Sequence, residues 1–165
     1  MNEKISTESS PDKMRQFVIF ELGSENFCID LLSVREIIRI VEITRLPEAP
    51  EFVEGVITLR GEVVPIIDLR KRFGFTISEN ENSDNRIMII ETADNILGFI
   101  VDGVREVLRT RNSEIKPPPA MITSEIDKRY FEGVITNGNM LLIVLIADLI
   151  FAQEELYSVK QIDVA

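Results

Sequence analysis

The chain has 165 residues, 45% hydrophobic and 28% charged, enough for one compact body or two small units with a real core. Its 28 carboxylates against 18 lysines and arginines leave a net charge of −10, which argues against a binder of nucleic acid or of an anionic membrane. There is no histidine and only one cysteine, so the commonest general base is missing, a cysteine zinc site is excluded and no internal disulfide can form.

Residues 1–15 are polar, with Ser-Ser-Pro at 9–11, and read as a disordered tail without the apolar segment of a signal peptide. Residues 17–22 and 26–31 are apolar runs separated by Gly23-Ser24-Glu25, a hairpin signal. In this strand context Cys28 reads as a small core residue. A third strand follows over 34–41, until Pro47 and Pro50 break the pattern.

The stretch FVEGVITLRGEVVPIIDL (52–69) reads as two strands, 55–60 and 63–69, joined by a tight turn at Arg60-Gly61-Glu62. Glycine at 61 supplies the positive φ that such a turn requires. Asp68 can cap a short helix over 69–73, which Gly74 ends. The acidic, Asn-rich segment 76–85 then reads as an exposed linker.

Most of this order returns. Residues 17–37 align with 87–107 at an offset of 70, with identities at Ile19/Ile89, Glu21/Glu91, Val34/Val104, Arg35/Arg105 and Glu36/Glu106. Average residue usage would give about one identity over such a length. EGVIT recurs at 54–58 and 132–136, and Asp-Leu at 68–69 and 148–149, so the extra residues fall in loops, chiefly the proline-containing stretch 110–129. Asp148 is expected to cap a terminal helix running to residue 157, ahead of a frayed tail at 158–165. The chain is one β unit of roughly 70 residues used twice.

Three strand segments, 17–20, 63–67 and 140–146, are apolar at every position, not at alternate ones. One face of each fills a barrel, and the other must be covered by the second copy, the terminal helix or a partner protein. The surplus is a hint of a binding module. The longest apolar run, 140–147, is far short of the ~20 residues that span a bilayer. A cytoplasmic location without direct membrane contact is expected.

Catalytic signals are poor. Gly133 and Gly138 have the spacing that opens a phosphate loop, but Asn139 and Met140 stand where Lys and Ser/Thr are required, and a hairpin turn accounts for them. No carboxylates pair in a catalytic spacing. Neither an enzyme nor a cofactor is expected.

The segments VREIIRI (34–40), FVEGVITLRGEVVPIIDL (52–69), GFIVDGVREVL (98–108), 115–119 and the second EGVI closely resemble the chemotaxis coupling protein family, CheW, over residues 16–157. The pattern GV-x-x-LRG-x-x-x-P-I-x-DL with a later VDGV is shared with the regulatory domain of the CheA histidine kinase. The resemblance implies an all-β fold of two tandem five-stranded SH3-like barrels. These would span about 16–75 and 86–147, with chain ends possibly exchanged between them. It also implies a non-catalytic adaptor linking the cytoplasmic tips of methyl-accepting chemoreceptors to CheA. A paralogous adaptor serving another receptor and kinase pathway is the alternative within the family. A nucleic-acid-binding SH3-like module is opposed by the charge.

Carried over residue by residue, the resemblance implies receptor contacts at Val34, Glu36, Ile37, Arg60, Gly61 and Val104. Val34, Glu36, Ile37 and Val104 could equally be buried in the seam between barrels. Arg60 could be a solvated turn charge, but its planar fork suits a receptor contact, and at a hairpin tip it has little to pack against in its own barrel. Kinase contacts are implied at Arg39, Ile40, Val41, Ile43 and Met121. Simple core burial competes for the first four, and anchoring of the proline loop for Met121.

Overall fold

The computed structural model describes residues 12–75, 83–118 and 130–150. Ten strands follow one another along them. They are β1 (Met14–Leu22), β2 (Glu25–Asp30), β3 (Val34–Arg39), β4 (Val53–Leu59), β5 (Glu62–Asp68), β6 (Arg86–Glu91), β7 (Ile96–Val101), β8 (Gly103–Arg111), β9 (Phe131–Asn137) and β10 (Met140–Leu145). A short helix, α1 (Leu69–Phe73), follows β5. The Asp68 carboxylate accepts from the Arg70 amide at 3.0 Å, and Gly74 closes the helix with φ +80°, the capping read from the sequence.

The strands form two five-stranded sheets in the orders β8-β1-β2-β10-β9 and β3-β6-β7-β5-β4. Replacing each strand by its repeat counterpart turns one order into the other. Neither sheet belongs to one copy. The first pair of strands of each copy joins the last three of the other, and the pairs β2·β10 and β5·β7 are the parallel contacts that weld them.

This exchange accounts for strands that are apolar at every position. In β1, Phe17 and Ile19 point into one barrel, whereas Val18, Phe20 and Leu22 join a cluster drawn from both sheets. In β6, Ile87 and Ile89 fill the other barrel while Met88 and Ile90 join the shared cluster. Among the described residues the shared cluster has 21 buried residues, against six in each barrel interior, so the seam is the main core and the barrels are not separable domains. Full burial of one such side chain is worth about 1.5–3 kcal/mol. The surplus apolar surface is therefore taken up largely by the other barrel.

Two further devices lock the seam. The Arg72 guanidinium lies 4.8 Å from the Phe52 ring centroid and 5.2 Å from that of Tyr130, and it donates to the Tyr130 hydroxyl at 2.6 Å. Arg70 holds the buried Asp68 at 2.9 Å and Asp102 at 2.8 Å, and Asp102 also accepts from the Gly23 amide at 2.6 Å. Cys28 is fully buried, and desolvation pushes its thiol up to about 12.

Three boundaries differ from the sequence reading. The first strand begins at Met14, inside the segment read as a tail, because β8 runs on to Arg111 and pairs with it. The third strand ends at Arg39, leaving Ile40 and Val41 beyond it. Asp148 lies within a 3-10 turn, Ala147–Leu149, whose N-cap is Ile146 and which has no side-chain cap. The expected helix beyond residue 150, the tails at 1–11 and 158–165, most of the linker (76–82) and Met121 lie outside the described residues. Among the described residues no helix is long and apolar enough to cross a membrane.

Candidate functional site

The β4–β5 hairpin turns through Arg60 and Gly61, with Leu59 facing Glu62. Both turn residues have positive φ, +52° and +82°, the backbone of a type I′ turn. Arg60 is the one non-glycine residue with positive φ among the described residues. A long cation in a place that favours Asn, Asp or Gly points to a use for its side chain.

The Arg60 guanidinium is not idle within its own barrel. It reaches Glu36 on β3 as a two-pronged pair, Nη1 with Oε2 and Nη2 with Oε1, the latter at 3.0 Å. Beside it, Arg35 Nη1 donates to Glu62 Oε1 at 3.1 Å. Strand β3 and the β4–β5 hairpin thus interlock through two crossed ion pairs, Arg35-Glu36 against Arg60 and Glu62. Since β3 and β4 are the two edges of their sheet, the pairs clasp the barrel shut. The charge-assisted bond from Arg60 holds the Glu36 carboxyl below its usual range, and Glu36 in turn raises the guanidinium. The Arg60 side chain nevertheless stays 70% exposed, against 23% for Glu36.

The clasp has no charged twin in the other copy. There the hairpin tip is Asn137-Gly138-Asn139, and Arg105 pairs instead with Glu21 on β1. Its repeat equivalent Arg35 also reaches Glu91 on β6, at 3.9 Å. The repeated identities Glu21/Glu91 and Arg35/Arg105 are therefore one ion pair made twice, each time between copies.

The six residues expected to meet a receptor fall into two groups. Arg60 and Gly61 form the hairpin tip and Glu36 reaches it from β3, where the next residue, Ile37, is exposed. Val34 and Val104 are half-buried against the shared core and form the rim of the seam. Of the residues expected to meet a kinase, Arg39 is exposed at the end of β3, and Ile40 and Val41 are exposed just past it. Ile43 is half-buried against its own barrel interior, where the backbone of Thr44 bridges to Val56. Arg39, Ile40 and Ile43 line a cleft of about 420 Å³ together with Arg70 and Arg86.

Sequence reasoning missed the partners in the clasp, Arg35 and Glu62, although the alternation of charges at 35–36 and 60–62 was visible. It also missed exposed Leu32, Met14 and Val107. Among the described residues there is no group of three carboxylate or cysteine side chains placed to hold a metal ion. The arrangement presents surfaces, a guanidinium and apolar side chains for contact.

Comparison with known proteins agrees with this geometry. The family model of the CheW-like domain matches residues 16–155. The chain is 36% identical over 148 residues to the chemotaxis protein CheW of Treponema pallidum, covering 88% of this chain and 86% of that one. It is 33% identical over 140 residues to CheW of Helicobacter pylori, with 85% and 83% covered. The crystal structure of the scaffolding protein TtCheW from Thermoanaerobacter tengcongensis superposes with a TM-score of 0.74 at 37% identity, covering 81% of this chain and 90% of that one.

Proposed function

The chain belongs to the CheW family, and from that premise we propose that it is a non-catalytic cytoplasmic adaptor coupling chemoreceptor tips to the regulatory domain of the CheA histidine kinase. The observation that carries the reading is the clasped hairpin tip. Arg60 is held by Glu36 yet 70% exposed, so it is oriented without being consumed. A guanidinium fixed in this way can bind a carboxylate or amide on a partner at little further cost in side-chain entropy. The receptor-facing set is Val34, Glu36, Ile37, Arg60, Gly61 and Val104.

The kinase-facing set is Arg39, Ile40, Val41 and Ile43, with Met121 assigned by family likeness alone. Ile40 and Val41 are 41% and 45% exposed, apolar and next to Arg39. They lie about 13 Å along the chain from Glu36, far enough for a second partner to sit beside the first. Exposed apolar side chains flanked by charge match the anatomy of an interface, an apolar centre with a polar rim.

The test is capture of a CheA regulatory domain and of a receptor-tip fragment by the immobilised chain. Ile40→Asp and Val41→Asp should lower kinase-domain capture at least about tenfold and spare receptor capture, with the melting temperature kept. If neither fragment is captured by the wild type, the reading is wrong. If the two variants unfold, these side chains are core and the kinase face lies elsewhere.

A further inference from the structure

A groove of about 650 Å³ lies where the start of β1, the end of β8 and the turn Leu31–Ser33 meet. Its most exposed wall is Leu32, 93% accessible, and Met14 opposite is 44% accessible. Leu32 is not a loose side chain on a loose loop. Asp30 Oδ1 accepts from its amide at 2.9 Å, and Asp30 is held by Arg15 at 3.1 Å, which is itself bound to Glu132. An apolar side chain displayed on a braced turn is a contact waiting for a partner.

The charge of the groove runs against that of the molecule. The chain carries ten more carboxylates than cations, yet Lys13 and Arg109 in the groove make no ion pair and no side-chain hydrogen bond among the described residues. The groove is lined by three cations, Lys13, Arg15 and Arg109, against the single carboxylate of Asp30. Arg15 is taken up by Asp30 and by Glu132 behind it, so what faces a ligand is the positive charge of Lys13 and Arg109, with a net of +1 even when Glu132 is counted. In an acidic protein such a place attracts an anionic partner that the rest of the surface repels.

The groove also continues the seam rim. The turn that carries Leu32 leads directly into Val34, and β8 runs from Val104 to Arg109, about 17 Å along the strand. A helix covers that distance in roughly three turns. The walls are side chains from the faces of β1 and β8, so a helix can seat its apolar side there.

Resting on the adaptor reading above, we propose that the chain selects receptor-tip helices whose apolar face is edged by carboxylates, with Leu32 and Met14 receiving the apolar face and Lys13 and Arg109 receiving the acids. The two cations are specificity determinants, distinct from the guanidinium at the hairpin tip.

Binding of a receptor-tip fragment should be titrated, at low and at physiological salt, against the wild type, Arg109→Glu, Lys13→Glu/Arg109→Glu and Arg45→Glu. Arg45→Glu makes the same charge change as Arg109→Glu away from the groove. The expected result is a loss of about tenfold or more for Arg109→Glu, as for a charge-assisted contact. The double variant should lose more, Arg45→Glu should stay within about twofold, and the salt dependence should flatten in the groove variants. Reversing the acids at the edge of the tip helix to arginine should restore binding to Arg109→Glu. Tip binding in which Arg109→Glu matches Arg45→Glu would overturn the proposal and leave the adaptor reading standing, whereas no binding by the wild type would remove both. Self-association of the wild type that Leu32→Asp abolishes, with tip binding untouched, would assign the groove to a second copy and also overturn it.

Discussion

Glu36 and Arg60 are 24 residues apart and stand on elements at opposite edges of one sheet, yet their charged groups meet as a two-pronged pair. The turn that makes this possible is one an arginine enters only at a conformational cost, with φ +52°. Strain, exposure and a fixed partner together make the hairpin tip a presented group and not an incidental surface charge.

Because the pair orients the guanidinium, its two members should be coupled. Arg60→Ala and Glu36→Ala should each weaken receptor-tip binding, and the double variant should be little worse than the poorer single one. Arg60→Lys should recover only part of the binding, since an ammonium cannot span both carboxylate oxygens. Additive losses in a double-mutant cycle would mean that the two residues act independently.

The same pair carries a pH signature. Glu36 has a depressed folded pKa, so its stabilising contribution is complete above the ordinary carboxylate value, ~4.3, and is lost as the pH falls through the lower folded value. Wild type and Glu36→Gln should therefore differ in melting temperature at neutral pH and converge in acid. A gap that widens on acidification would contradict the assignment.

Gly55 has a different importance from Gly61. A Cβ at Gly55 would lie 2.0 Å from the carbonyl oxygen of Thr44, on a backbone with φ +146°, whereas at Gly61 nothing comes within 4 Å. Gly55→Ala should cost about 2 kcal/mol or more through lost pairing at Thr44–Val56 and backbone strain, and Gly61→Ala about 1 kcal/mol through backbone strain alone. Urea denaturation of both variants checks the order.

The exchange of strands predicts an interdependence of the two copies. The pairings β1·β8, β2·β10, β3·β6 and β5·β7 each join one copy to the other. Two fragments made by dividing the chain within residues 76–82 should each lack cooperative unfolding, and mixing them should restore the circular dichroism and melting of the intact chain. Cooperative unfolding of either fragment alone would show that a copy is a domain in itself.

Much of this was written in the sequence. The repeat, Gly61 and the Asp68–Gly74 capping give the strand inventory and the tight hairpin through local rules of spacing and backbone freedom. The pairing of Arg60 with Glu36 is not local. It depends on which sheet edges meet when the barrel closes, and a hairpin tip read in isolation has no neighbour to bond. The exchange of strands was not readable from the pattern of residues either, because both pairings of two similar copies bury the same residues, and it entered only as a possibility raised by the family resemblance. Only the all-apolar strands hinted that each had two buried faces. Ile43 and Ile40 show the same limit, since two isoleucines three residues apart differ in burial through the approach of Gly55 to Thr44.

If one chain holds receptor and kinase at once through separate surfaces, sedimentation of the chain with a labelled receptor-tip fragment and a CheA regulatory domain, each supplied above its own dissociation constant, will show it. The expected result is a single ternary boundary in which saturating kinase domain leaves tip binding undiminished. Displacement of the tip by the kinase domain, with only binary complexes at any ratio, would contradict it.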